Sequence, residues 1–224
     1  MENRNQNLVA MVECALFVAA AVVLDFITIF ELPNGGSLKF VMIPLIIFAL
    51  RRGFKWGTVS GILYLVIAII LGREGIFYPG STATVIVVCI LFDYVLAYST
   101  IGLAPVFAKL FKNRMLGVGA SAFLVCLVRF LSHFISGTTI WGDFSNGAGG
   151  AILFSITYNG SYMLPIAVVS AVVMVLIYKF APQLFFVNET VTNTAVDSEK
   201  VTSIDSKKAS KKTAKRENAK IKEA

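Results

Sequence analysis

Residues 115–138 read MLGVGASAFLVCLVRFLSHFISGT. The stretch is long and apolar enough to cross a bilayer, which takes about 20 such residues in a helix. Yet it carries Arg129 and His133, one helical turn apart and therefore on one face. Charged and aromatic groups at membrane depth are costly unless they face a cavity or each other. This segment thus decides two things. The chain is a helical membrane protein, and it keeps a polar face inside. That face has two readings. Arg129 and His133 are either an internal pair that sets helix packing with Asp93 or Asp25, or part of a wall facing a ligand. His133 lies near the outward end, close to Trp141, where a ligand would enter.

Working outward, six apolar stretches predict six helices, over about 7–29, 38–50, 56–72, 82–111, 115–138 and 153–181. The fold class is all-α, a six-helix transmembrane bundle. The second stretch is short and holds Pro44; it and the third are read as a partly re-entrant pair shielded by their neighbours. Pro105 predicts a bend near the end of the fourth, and the sixth contains Pro165. Turn residues mark the loops of one side, at Pro33-Asn34-Gly35-Gly36-Ser37, Pro79-Gly80-Ser81 and Asn146-Gly147-Ala148-Gly149-Gly150.

Charge sets the expected orientation. Arg51, Arg52, Lys55, Lys109, Lys112, Arg114 and Lys179 all fall on one side of a six-span chain. The other side has Lys39 and Arg73 against Glu31, Glu74 and Asp143. The positive-inside bias then places both termini in the cytoplasm. The membrane-embedded domain is read as residues 1–187. Residues 188–224 hold 9 of the 20 Lys and Arg and read as a disordered cytoplasmic tail, either solvated or touching anionic lipid. The net charge of +7 therefore belongs to loops and tail and does not imply nucleic acid. Ala19-Ala20-Ala21 resembles a signal-peptidase site, but the apolar run continues to Phe30, so a retained first helix is expected.

Composition excludes several chemistries. Cys14, Cys89 and Cys126 all lie in apolar segments and read as small buried hydrophobes. One histidine is too few for a His-rich metal site. There is no GxxxxGK[ST], so the chain does not itself hydrolyse ATP in the P-loop manner. Gly119-Ala120-Ser121-Ala122 lacks the following glycine of an intramembrane serine protease, and His133 is on the same helix. No cofactor and no enzymatic activity are implied.

What remains is a polar and aromatic set: Asp93-Tyr94 in the fourth helix, Arg129 and His133 in the fifth, Trp141 in the loop after it, and Tyr158-Asn159-Gly160-Ser161-Tyr162 in the sixth. A lone carboxylate at this depth is protonated or strongly destabilising, so Asp93 pairs with Arg129, with His133 or with a cationic ligand. Asn159 and Tyr162 are i, i+3 and face one side. Trp141 is either a ligand-stacking ring or an ordinary interfacial tryptophan. Asp25 is less specific and fits a place near the outer interface. On the first helix, Ala15 and Ala19 form a small-xxx-small pair, suited to close helix packing within the chain or to another subunit.

These residues resemble the thiamine-binding S component of energy-coupling-factor (ECF) vitamin transporters, the ThiT/YuaJ family. The matching stretches include Gly35-Gly36-Ser37, Met42-Ile43-Pro44, Leu50-Arg51-Arg52-Gly53, Phe92-Asp93-Tyr94-Val95-Leu96-Ala97, Gly102-Leu103-Ala104, Arg129 through Gly137, Trp141-Gly142 and Tyr158 through Met163. The resemblance implies an outward, lid-covered site for one thiamine in a bacterial cell membrane. Asp93 would engage the aminopyrimidine, Tyr94, His133 and Asn159 would add hydrogen bonds or ring contacts, and Trp141 would stack on the ligand. Ala15 and Ala19 would meet a transmembrane coupling subunit, and two cytoplasmic ATPases would complete the importer. The chain departs from the family pattern in three places. Some members have glutamate where Asp93 stands. Phe154 replaces a ligand-facing tyrosine of many members, keeping a ring while losing a hydroxyl. The first outward loop has no tryptophan and offers only Glu31 as a carboxylate, with Tyr162 completing the expected wall.

The function expected from the sequence is substrate capture for an ATP-driven vitamin importer. The alternatives are an S component for another vitamin or a thiamine precursor, a stand-alone secondary transporter, and a structural membrane protein with a polar packing network.

Overall fold

Helix α1 runs over Glu2–Asp25 and buries one stripe, Ala10, Cys14, Val18, Ala21 and Asp25, at helical spacing. The structure is a computed structural model. It describes residues 2–32, 36–72, 82–141 and 147–187, without the side chains of residues 2–5 and Trp141. Val9–Val187 form one compact unit. The expected turn at 79–81 and the tail at 188–224 lie outside the described residues.

Five further helices follow: α2 (Met42–Arg52), α3 (Phe54–Ile70), α4 (Ala83–Ala108), α5 (Arg114–Ser136, continued by a π-helical segment over Gly137–Trp141) and α6 (Gly147–Phe180). Of these six, α1, α4, α5 and α6 are long and apolar enough to cross a membrane. Helix α2, with 11 residues, spans only about 16 Å at 1.5 Å per residue. It compensates by burial: every residue from Met42 to Ala49 is enclosed by its neighbours. The reading of α2 as shielded is correct, and its reason is visible in the composition MIPLIIFAL, which has no polar face. Pro44 sits in the first turn, where its missing N–H leaves no bond unmade, so it does not break the helix. Gly53, at φ +92°, reverses the chain between α2 and α3, a conformation that L side chains rarely adopt.

Two boundaries differ from expectation. Helix α1 ends at Asp25, and the loop forms a minimal antiparallel ladder, β1 (Phe30–Glu31) with β2 (Ser37–Leu38), pairing Phe30 with Leu38 and Glu31 with Ser37. The fold is therefore helical with one two-residue hairpin. β-branched and aromatic residues at 27–30 favour such pairing over helix, and residues 33–35 of the expected turn lie outside the described residues. Second, Gly147–Gly150, read as a turn, is the first turn of α6.

Helix α4 is irregular. After Ala83–Val88 it widens into a π-helix over Cys89–Leu96, returns to α over Ala97–Ser99, tightens to 3₁₀ over Thr100–Leu103 and ends as α over Ala104–Ala108. Where a bend is expected near Pro105 the helix tightens just before the proline, which sits in the first turn of the last segment. Asn113 caps α5 by accepting from the N–H groups of Met115 and Leu116 at 2.9 and 3.2 Å.

Ion pairs tie α1 at its last residue and at its middle. Asp25, fully buried, lies 2.8 Å from Lys39 Nζ of the following loop. Halfway along α1, Arg51 donates to both oxygens of Glu13, at 2.9 and 2.8 Å, and Arg52 donates from Nε at 2.6 Å. Arg51 also donates to the carbonyls of Gln183 and Phe186. The basic loop thus folds inward onto an acid that an apolar helix would otherwise strand.

Candidate functional site

Asp93 of α4 meets α5, which in turn bonds to α6. Asp93 sits in the π-helical part of α4, a geometry that is rare and concentrated at functional sites. Helix α5 reads this segment with three side chains on one face. Ser132 donates to the Phe92 carbonyl, His133 Nδ1 lies 3.0 Å from Asp93 Oδ1, and Ser136 donates to Asp93 Oδ2 at 2.6 Å. The acid therefore pairs with His133 and not with Arg129. Arg129 Nε makes a long 3.5 Å contact to His133 Nε2, and its guanidinium lies 4.5 Å from the Tyr98 ring centroid. An imidazole carrying its proton on Nδ1 satisfies both neighbours. The side chains of Asp93 and His133 keep 16% and 15% of their surface, so the carboxylate is held but not sealed. Its unused lone pairs can accept from an added donor.

Helix α6 closes the other side. Asn159 is buried; its amide donates to the His133 carbonyl at 3.3 Å and to Ser155 Oγ at 3.2 Å. Tyr162 donates its hydroxyl to Asn159 Oδ1 at 3.0 Å. Ser155 donates to the Phe134 carbonyl at 3.0 Å. These bonds end α5 against α6 and hold the Asn159 side chain in one orientation. Gly137 makes the approach possible: a Cβ there would collide with Ser155 Oγ and come within 2.9 Å of Asn159 Nδ2.

Rings line the same face of α6 at i, i+4 and i+8. Phe154 stacks on Tyr158, with centroids 5.6 Å apart and planes 5° apart, and Tyr158 meets Tyr162 edge-on at 5.9 Å. The Tyr158 hydroxyl accepts the Gly36 N–H at 3.0 Å, which brings the first loop onto this ring ladder. Flat apolar faces beside a carboxylate suit a flat cationic ligand.

The structure therefore brings Asp93, His133, Asn159 and Tyr162 into one network, with Phe154 on the adjoining ring face. Tyr94, next to Asp93, is buried. Glu31 is exposed on β1, and no described hydrogen bond ties it to the network. The side chain of Trp141 lies outside the described residues; its backbone ends the π-helical extension of α5. Ala15 and Ala19 are exposed on α1, on a face flanking its buried stripe, with Leu16 beside them. The sequence singles out neither Ser136 nor Ser155, and it names Tyr158 only within its motif, without a role. Their signals were spacing: Ser136 is i+3 from His133, Ser155 is i−4 from Asn159, and Tyr158 is i+4 from Phe154.

Comparison with known proteins gives a consistent result. The family model described as "Thiamine transporter protein (Thia_YuaJ)" matches residues 11–186. The thiamine transporter ThiT of Bacillus subtilis (strain 168) is 31% identical over 193 residues, covering 81% of this chain and 96% of that protein. ThiT of Lacticaseibacillus paracasei is 25% identical over 191 residues, covering 81% and 92%. A solved structure of ThiT from Listeria monocytogenes superposes with a TM-score of 0.67 at 29% identity, covering 81% of this chain and all of that one. The match spans all six helices, including every residue of the α4–α5–α6 network. The chain is a multi-pass helical protein that belongs to the thiamine transporter protein (Thia_YuaJ) family.

Proposed function

We propose that this protein captures thiamine from outside a bacterial cell and is the substrate-binding subunit of an ATP-driven ECF importer. The observation that carries the reading is the carboxylate of Asp93, gripped by His133 and Ser136 yet partly open, in a network that runs from His133 through Asn159 to Tyr162 of the α6 ring ladder. Thiamine brings a flat aminopyrimidine with N–H donors and a fixed positive thiazolium. Asp93 accepts from the aminopyrimidine. Asn159 and Tyr162 add hydrogen bonds, Tyr94 and His133 supply further polar or ring contacts, and Trp141 stacks on the ligand. Glu31 offers a carboxylate from the first loop toward the thiazolium. A charge-assisted hydrogen bond contributes about 1.5–3 kcal/mol, and a desolvated cation–π contact about 2 kcal/mol. Several together in a preorganised site give a dissociation constant in the nanomolar range, about −12 kcal/mol.

Capture that tight needs an energised step for release. In this reading it comes from two cytoplasmic ATPases, acting through a transmembrane coupling subunit that docks on the small-residue face of α1 at Ala15 and Ala19. The positive-inside bias of Arg51, Arg52, Lys55, Lys109, Lys112, Arg114 and Lys179 supports both termini in the cytoplasm, and the basic sequence of residues 188–224 is read as a cytoplasmic tail. The test is a fluorescence titration of the purified protein with thiamine, riboflavin and biotin. Saturable quenching by thiamine alone, lost in Trp141→Phe and kept in Trp56→Phe, supports the reading. A response to another vitamin in place of thiamine reassigns the ligand.

A further inference from the structure

We propose that Ser136 is a positioning residue that sets the orientation of the Asp93 carboxylate and thereby the strength of ligand capture; this rests on the thiamine reading above. Ser136 is fully buried, and its hydroxyl donates to Asp93 Oδ2 at 2.6 Å, while His133 holds Oδ1 at 3.0 Å. A carboxylate bonded at one oxygen can rotate about its terminal torsion, which is broad and two-fold. Bonded at both oxygens by residues three apart on one helix, it is locked in plane. The lone pairs left over then point in a fixed direction, and a ligand N–H meets an acceptor that needs no rearrangement.

The placement of Ser136 makes this device specific. It is the last residue of the regular part of α5; Gly137 begins the π-helical extension and packs against Ser155 and Asn159 on α6. The Ser136–Gly137 pair therefore faces both walls: the serine sets the acid on α4, and the glycine admits the amide on α6. Asp93 itself lies in the π-helical part of α4, where the register of side chains departs from that of a regular helix. Ser132, one turn earlier, bonds only the backbone of that segment, through the Phe92 carbonyl. Ser132 and Ser136 thus make equivalent interhelical bonds, one to backbone and one to the ligand-binding acid. This contrast separates helix packing from positioning.

The experiment measures thiamine dissociation constants and thermal unfolding of the purified full-length protein for the wild type, Ser136→Ala, Ser132→Ala and Ser136→Cys. Loss of one charge-assisted bond to the acid weakens binding about tenfold in Ser136→Ala. Ser132→Ala changes affinity less than about twofold while lowering the unfolding temperature comparably. Ser136→Cys, which keeps side-chain volume and a weak S–H donor, falls between, and serves in place of Ser136→Ala if the latter does not fold. The decisive arm is the Asp93→Asn background. There Ser136→Ala costs less than about threefold, because the charged acceptor is already gone. Wild-type affinity in Ser136→Ala, an equal loss in Ser132→Ala, or an undiminished tenfold loss in the Asp93→Asn background overturns the positioning role. Wild-type protein that does not bind thiamine overturns the ligand reading instead.

Discussion

Nδ1 of His133 lies 3.0 Å from Oδ1 of Asp93, and the two residues come from different helices that meet where α4 is π-helical. This pair is the centre of the polar network. Replacing Asp93 by Asn keeps the shape and removes the charge. The expected loss of thiamine affinity is about 1.5–3 kcal/mol, roughly 10- to 100-fold, with unfolding little changed. Paired calorimetric and thermal-denaturation measurements check it. A mutant that loses its fold and not its affinity would assign Asp93 to packing.

Tyr162→Phe removes a single hydroxyl, the donor to Asn159 Oδ1. Asn159 keeps its two donor contacts through Nδ2, so the fold stays and the amide loosens. Affinity is expected to fall by about 0.5–1.5 kcal/mol, up to roughly tenfold. Titration of the mutant with thiamine reads this directly.

Gly137→Ala tests the close approach of α5 and α6. The added Cβ meets Ser155 Oγ and Asn159 Nδ2, neither of which can move without breaking the network. Overpacking of this kind costs about 1–3 kcal/mol. Both unfolding temperature and thiamine affinity are expected to drop together.

Glu13→Gln addresses the other end of the molecule. Arg51 and Arg52 both lose a charged partner there, and a group left unsatisfied in a partly buried site costs about 1–3 kcal/mol. Stability is expected to fall while thiamine affinity in folded protein stays unchanged, because Glu13 has no bond to the α4–α5–α6 network. Denaturation and titration on the same sample separate the two.

Ala15→Phe and Ala19→Phe place bulk on an exposed face of α1. Neither residue packs in the core of the chain, so binding is expected to be preserved. Uptake by cells carrying the coupling proteins is expected to be lost, since a small-residue face loses its close approach. Uptake of radiolabelled thiamine beside binding to purified protein measures both.

The helix count and the polar residues inside the helices are legible in the sequence because lipid imposes a harsh filter. Apolar runs of fixed length announce helices, and any acid, imidazole or amide inside them stands out. Asp93, His133 and Asn159 were found that way, and Asp93 pairs with His133 as one of the expected choices. The partner of Asp25 was not legible, because Lys39 is across a loop and no periodicity links them. The π-helical stretch of α4 was hidden too: CILFDYVL has no proline, glycine pair or cap to mark it. Serines were missed for a related reason. Ser132, Ser136 and Ser155 are ordinary in membrane helices, and only the helix crossing reveals which carbonyl or carboxylate each one meets. Glycines at 147–150 suggest a turn, yet these mostly exposed residues form the first turn of α6, and only Gly147 keeps the positive φ of a turn glycine among them.

The most direct test of the account is a calorimetric titration of purified, folded protein with thiamine, run beside Asp93→Asn. The account expects one site per chain with a dissociation constant in the nanomolar range, about −12 kcal/mol, weakened at least tenfold by the substitution. Absence of heat up to micromolar thiamine, with the protein still folded, or equal affinity in both proteins, would contradict it.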